Sequence, residues 1–535
     1  MKKIFYITLF ALFTFFMVAC DETNYSFSIV VDNVSELRES VVFDLTLLDE
    51  NKELEKSEIK GTISKKGSDT VINNKNVTFD SENKEELSFT GLTADTEYSV
   101  TIYAGYSGKK VTLVERNVKT SNEGTDDAPY SIDSYDDFTN IVKKDRDAYF
   151  KLVNDIDFNG KSISPMFTST SPFIGHFDGN GYTIRNFKVA DKDEEGNNKH
   201  VSSSSQYYGL FGYIGEGGKV SNVTLDSFTV YVARSTSLSS TKSSNYGLLA
   251  GYCAGTIENV SVTNSSLNVK SSNKTKDLVS VGGLVGNLAE KGTITNVSVT
   301  ANIKVDGVID AVVGGVCGST VNSKRITKTE NDVTVKVANI SKASYTGDIT
   351  VDLSGSTVSV PTTVGGLVGK NFSSLIDDCS SAGTITVNSA FTKAGNQTFN
   401  VGGLVGWMIS DNAVLSNSNS SVSFTITSLD TPTVSEEKLT INAGLLVGKN
   451  GGLAPAKSIV SNCKYTLATG AVNTINASEF AVVKTGLVAN EVSTSNDCLL
   501  ESAVVVKVNR HTVVDGAEEP TIVDDSKTIA PTVTE

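Results

Sequence analysis

The sequence predicts an all-β chain: a β-sandwich of about a hundred residues, followed by a right-handed parallel β-helix. Three observations predict this. Residues 25–31 and 40–47 alternate apolar and polar side chains at period two and are rich in β-branched and aromatic residues. From Gly209 onward, a short glycine-flanked apolar unit recurs about eight times. No helix-period segment of useful length separates the copies.

Composition bounds the possibilities. The chain has 535 residues, 39% of them hydrophobic, which excludes wholesale disorder. With 46 Lys+Arg against 61 Asp+Glu, the net charge is −15 and the pI about 4.9. Nucleic acid is therefore not an expected partner, because binding it takes a basic surplus against phosphates.

At the N-terminus, Lys2 and Lys3 precede an apolar run over residues 4–19. That run falls short of the roughly 20 residues a spanning helix needs, and it reads as a secretory signal. Met17-Val18-Ala19-Cys20 resembles the lipobox of bacterial lipoproteins. The resemblance implies removal of residues 1–19 and lipid on Cys20, the one modification site the sequence points to. Two or more acyl chains make a stable anchor. An ordinary signal peptide with a chance cysteine is the other reading. Loss of Lys2 and Lys3 would take the charge from −15 to −17. No second apolar run of membrane length follows, so the remainder is expected to be soluble and exported. Asp21 and Glu22 resemble surface-export signals of some Gram-negative lipoproteins, although Asp after the Cys signals inner-membrane retention in others. The implied location is the bacterial outer membrane, lipid-anchored and facing outward.

The first domain spans 22–121. Residues 87–102 resemble the corner of a fibronectin type III domain. The resemblance places Leu92 inward before a turn and the Tyr98 ring in the core, with its hydroxyl on a nearby backbone group. Residues 110–118 supply the last strand. The Trp common early in such domains is missing. An Ig/fibronectin III-like sandwich here serves either as a spacer or as a binding module. Residues 122–129 form a polar linker.

The second domain spans 130–515. Residues 132–142 read as a short amphipathic helix in which Ser134 and Asp137 form a capping box. A helix before a β-solenoid is a natural cap for its open end. The repeats follow. Their central residues Leu210, Leu248, Leu284, Val316, Leu367, Leu404, Leu445 and Leu487 are spaced by 38, 36, 32, 51, 37, 41 and 42. Short second strands are expected at 218–225, 255–262 and 292–299. Coils stacked about 4.8 Å apart would bury the apolar residues in ladders. These units, with the preceding segments 154–158 and 177–184, resemble the GLUG repeat. That resemblance implies a bacterial surface or secreted protein, a group including adhesin-like and IgA-peptidase chains. The copy at 313–350 departs from the pattern through its longer interval and Cys317, and an insertion is expected there. The tail 516–535, with Pro520 and Pro531, is expected to be disordered.

Chemistry-bearing residues are sparse. His176, His200 and His511 stand alone and none precedes a Glu, so zinc-protease activity does not carry over from the resemblance. Asp377-Asp378 is the main paired acid within a rung, and reads as a turn cap beside a solvent-facing residue. Residues 155–160 look like the start of a calcium loop, but Met166 stands where the bidentate Glu belongs. Residues 365–371 and 444–450 resemble a phosphate loop, one residue short and with Asn in place of Ser/Thr. Cys253, Cys317, Cys379, Cys463 and Cys498 contain no CxxC; the last three read as small core residues in a ladder, and a disulfide between neighbouring coils stays open. Trp407 and Tyr207-Tyr208 could stack on sugar rings. No catalytic, cofactor-binding or metal-binding residue is assigned, and no cofactor is expected. The reading is a lipid-anchored surface adhesin or ligand-binding protein, not an enzyme. Its partners are the membrane, through the lipid, and a glycan or host surface protein. A β-helical polysaccharide lyase or hydrolase and a structural envelope protein are the alternatives.

Overall fold

The computed structural model describes residues 25–234, 243–271, 278–307, 310–320, 327–330, 333–336, 339–353, 361–389, 397–410, 412–429, 439–451, 458–479, 481–489, 495–512 and 521–531. Cys20 and the segment resembling a lipobox lie outside the described residues. The chain divides into two units, Met1–Asn122 and Glu123–Glu535.

The first unit is a β-sandwich. Its strands are β1 (Ser28–Glu36), β2 (Ser40–Leu48), β3 (Ile59–Lys65), β4 (Val71–Asn76), β5 (Lys84–Thr90), β6 (Glu97–Tyr106) and β7 (Lys109–Lys119). One sheet has the order β1-β2-β5 and the other β4-β3-β6-β7, all antiparallel. The period-two alternation is the cause: Val41, Phe43 and Leu45 on β2 meet Ile63, Val100 and Ile102 in one apolar core. Tyr98 is 1% exposed, and its hydroxyl oxygen accepts the Thr93 N–H at 2.8 Å. Leu92 is buried beside it. This is a tyrosine corner, a buried ring fastened by one backbone bond.

The second unit is a parallel β-helix. A typical coil has two short strands around a glycine turn, such as Leu278–Gly282 and Val285–Leu288, and then one long strand, Thr293–Asp306. Equivalent residues of successive repeats pair in register: Thr256 with Thr293, Ile294 with Ile340, Ile340 with Ile376. One repeat is therefore one coil. The central residues Leu249, Leu284, Val316, Leu367, Leu404 and Leu446 are buried and follow one another in register; the pairing corrects Leu248 and Leu445 of the sequence reading by one residue each.

The long strands exceed the expected eight residues: Thr256–Lys270 has 15 and Thr293–Asp306 has 14. Each is bent near its start by an asparagine in the left-handed region, Asn259 at φ 54° and Asn296 at φ 53°. Asn tolerates this conformation better than other non-glycine residues. The side chains then form a ladder. Asn222 Nδ2 donates to Asp178 Oδ1 at 3.0 Å, Asn259 Nδ2 to Asn222 Oδ1 at 2.9 Å, and Asn296 Nδ2 to Asn259 Oδ1 at 2.7 Å. It resumes from Asp377 through Asn417 to Asn462.

The glycines of the turn are required by contact. A Cβ on Gly286 would lie 2.5 Å from Tyr246 N of the preceding coil, and one on Gly282 would lie 2.7 Å from Gly318 N of the next. Successive coils approach too closely there for any side chain.

The entry cap forms as expected. Ser134 Oγ accepts the Asp137 N–H at 3.2 Å, and the Asp137 carboxylate accepts the Ser134 N–H at 3.2 Å. One α-turn (Tyr135–Asp137) continues as a five-residue π turn (Phe138–Val142). Phe138 packs its ring 5.3 Å from Phe158 and 5.5 Å from Phe177, closing the first coils. The irregular repeat carries its insertion as an antiparallel hairpin, Thr327–Glu330 with Val333–Lys336.

The tail corrects the sequence reading. Thr521–Asp524 and Lys527–Ile529 turn back antiparallel onto Val504–Thr512, so residues 516–535 are not disordered throughout. The last strand of a solenoid presents an open edge, and the tail covers it. Arg510 Nε fastens the return to Asp525 at 2.9 Å.

Candidate ligand-binding face

The second short strand of each coil reads apolar–Gly–X–apolar or close to it. Alternation buries its flanking residues and turns X outward and half-buried, except at Ser319, which is buried. Parallel register puts the X residues in one line: Tyr213, Tyr252, Asn287, Ser319, Lys370, Trp407 and Lys449. At about 4.8 Å per rung the line runs for about 29 Å.

The line changes character along its length. At its first end Tyr213 and Tyr252 stack with ring centres 4.5 Å apart. Tyr207, from the neighbouring short strand, meets both edge-on at 5.1 and 5.8 Å. Burial and the Tyr252 ring beside it push the Tyr213 hydroxyl up, so it stays protonated. In the middle, Asn287 Nδ2 donates to Ser319 Oγ at 3.1 Å. At the far end the Trp407 ring lies between two lysines, with Lys370 Nζ 5.3 Å and Lys449 Nζ 4.1 Å from its centre. Trp407 Nε1 donates to Gly451 O at 3.0 Å. Burial lowers the pKa of both lysines; Lys484 and Lys370 lower Lys449 further, while Asp310 opposes the shift at Lys370. Burial raises Asp310, with Lys370 opposing. The face can stack on flat apolar surfaces at one end, hydrogen-bond in the middle and hold negative charge at the other.

The structure separates the residues singled out in the sequence. Tyr207 joins the aromatic cluster, but Tyr208 is buried, and lysines cover both faces of the Trp407 ring. Those two residues are not the sugar-stacking surfaces the sequence suggested. The three histidines sit on different coils. His176 lies against Tyr149 at 4.4 Å, beside a cleft of about 260 Å³ that Lys151 and Asp178 also line. His200 contacts Asn268 at 3.3 Å and burial lowers its pKa, while His511 pairs with Ile522 of the returning tail.

The acids serve the coil corners. Asp155 Oδ1 accepts the Thr183 N–H at 2.9 Å and Asp157 Oδ1 accepts the Asn159 N–H at 2.7 Å, tying turns together in the segment that looks like the start of a calcium loop. Asp377 Oδ1 accepts Ser416 Oγ and Asn417 Nδ2, both at 2.7 Å, and Asp378 takes the left-handed turn at φ 53°. Among the described residues no group of three or more His, Cys, Asp or Glu could hold a metal ion. The phosphate-loop look-alikes are strands and a solenoid corner. All five described cysteines are buried thiols outside any disulfide, and burial pushes Cys253 and Cys379 up to about 12.

The X line went unread in the sequence, although a signal was present. Aligning the copies on the glycine of this strand places each X directly after it, where residue type varies most.

Comparison with known proteins matches the repeats. The family model described as the GLUG motif matches residues 277–304 and 361–386, each one glycine turn with most of the long strand that follows it. The chain is 33% identical over 168 residues to a Gly-rich membrane protein of Evansella cellulosilytica, covering 30% of this chain and 17% of that protein. It is 30% identical over 199 residues to halomucin of Haloquadratum walsbyi, covering 35% of this chain and 2% of that one. The chain thus spans less than a fifth of either relative. A Yersinia enterocolitica family 28 exopolygalacturonase aligns over 88% of this chain and 98% of its own at 10% identity, with a TM-score of 0.19. At that score the likeness carries no argument about activity.

Proposed function

We propose that this GLUG-repeat protein is a surface ligand-binding protein or adhesin, and that the outward line of X residues is its binding face. The observation that carries the reading is the in-register line from Tyr213 to Lys449, which sets aromatic, amide, hydroxyl and ammonium groups one rung apart on a rigid sheet. Solenoids provide such extended surfaces, and a ligand that repeats along its length can meet several rungs at once. In this reading the N-terminal lipid on Cys20 holds the chain to the bacterial outer membrane, and the fibronectin III-like sandwich is a spacer. The name of the Evansella relative, a membrane protein, supports a membrane or surface location. The reading assigns no catalytic step.

The test is adhesion of intact cells to glycan and host-protein arrays. Cells carrying the wild-type chain are compared with cells carrying Tyr213→Ala and Tyr252→Ala together. Protease shaving confirms equal display. Loss of binding in the double variant, with ligand length unchanged after incubation, supports a binding face. Shortening of a polysaccharide ligand would favour a glycan-active enzyme. Binding that survives the double variant would remove the face from the account.

A further inference from the structure

The lysine end of the line has a chemistry that the aromatic end lacks. Lys370, Trp407 and Lys449 occupy three consecutive rungs, and Lys484 acts on Lys449 from the neighbouring strand ladder. Of the groups acting electrostatically on Lys370 and Lys449, Asp310 is the one acid, and it acts on Lys370. This concentration of positive charge stands on a chain of net charge −15. Lys370 and Lys449 are held about 10 Å apart, two rungs, by the ring between them. Burial costs both ammonium groups hydration, and Asp310 offsets this only at Lys370, so an arriving anion would find both partly desolvated.

Resting on the reading of this line as the binding face, we infer that the Lys370–Trp407–Lys449 rungs are a subsite for the acidic groups of a carboxylated or sulfated polysaccharide. Charge complementarity selects the anion. Beyond the buried Ser319 rung, Asn287 presents its half-buried amide to sugar hydroxyls, and the tyrosine cluster offers apolar surface past it. A nucleic acid fits less well: it carries a phosphate at every nucleotide, and the acidic remainder of the chain repels so dense a charge. A glycan with neutral sugars between its acidic ones brings its charge only where the lysines stand.

The experiment titrates the full chain, purified in detergent, with hyaluronan oligosaccharides and with the same oligosaccharides after their carboxylates are reduced to alcohols. Single-stranded DNA of similar length is the third probe. The wild-type chain is expected to bind the carboxylated form about tenfold more tightly than the reduced form, and more weakly as salt rises. Lys370→Gln with Lys449→Gln should erase that preference, and Lys370→Arg with Lys449→Arg should keep most of it. The arginine pair guards against a folding defect at these half-buried positions. Equal binding of both forms, untouched by the glutamine pair but lost in Tyr213→Ala with Tyr252→Ala, would overturn the acidic subsite and leave the binding face standing. No binding of either form, or binding that neither pair of variants changes, would overturn both. DNA binding as tight as the carboxylated glycan would overturn the assignment of ligand class.

Discussion

Asn296 Nδ2 donates to Asn259 Oδ1 at 2.7 Å across one coil, and both residues hold the left-handed backbone, at φ 53° and 54°. This pair does two jobs. It bends each long strand at the same rung, and it ties the bends of adjacent coils. The line of X residues stays in register because every coil turns at the same place.

Replacing Asn259 with alanine should therefore loosen the coils on either side. A left-handed alanine costs about 1–2 kcal/mol, and the lost ladder bonds add about 1 kcal/mol. Asn259→Gly, which keeps the conformation accessible, should cost about 1 kcal/mol less. Hydrogen exchange at amides of Thr256–Lys270 and Thr293–Asp306 reads the local loss, because a solenoid need not unfold in two states.

Gly286→Ala should be worse than its small size suggests. The new Cβ would lie 2.5 Å from Tyr246 N, a backbone atom that cannot rotate away. Overpacking of this kind costs about 1–3 kcal/mol. Gly105→Ala, where no atom lies within 4 Å, should be neutral or slightly stabilising. Thermal melts of the two variants check the contrast.

Much of this architecture was legible in the sequence. The glycine-flanked units give the period of the solenoid because only glycine fits between its coils, as Gly286 shows. The capping box at Ser134 and the corner at Tyr98 follow local rules that need no tertiary information. The full length of the long strands was hidden: the expected strands 255–262 and 292–299 run through Asn259 and Asn296, but polar residues such as Asn264, itself left-handed at φ 50°, conceal the continuation to Lys270 and Asp306. The covering of the last edge by the tail was hidden for a similar reason: Thr521–Asp524 is short and flanked by Pro520, and its pairing partner is Val504–Thr512. The candidate site was the least legible part. Its residues share no type and lie a whole coil apart in sequence; only the register brings Lys370, Trp407 and Lys449 together.

Tyr98→Phe should weaken the sandwich alone. The change leaves the Thr93 N–H without its acceptor in a part-buried corner, a loss of about 1–3 kcal/mol. Near-ultraviolet and hydrogen-exchange signals of the first unit should melt earlier, while those of residues 130–512 stay in place.

Asp310 gives a dependence on pH whose sign can be worked out. Burial raises its folded pKa above the ordinary 3.8. Its contribution to stability is then fully present below the unfolded value and is lost as pH rises through the folded one. The wild-type chain should gain stability relative to Asp310→Asn as pH falls from neutral into the acid range. Paired melts of the two proteins at several pH values isolate this from carboxylates such as Asp157, whose hydrogen bond to Asn186 and other contacts lower its pKa and give the opposite slope.

The central claim is that ligand meets the chain on the line of X residues. The most direct measurement is adhesion of cells displaying Tyr213→Ala with Tyr252→Ala, beside cells displaying Thr300→Ala, an exposed position on the long-strand sheet. Adhesion lost in the tyrosine pair and kept in Thr300→Ala, at equal display, is the expected result. Adhesion unchanged in the tyrosine pair, or lost equally in both, would contradict the account.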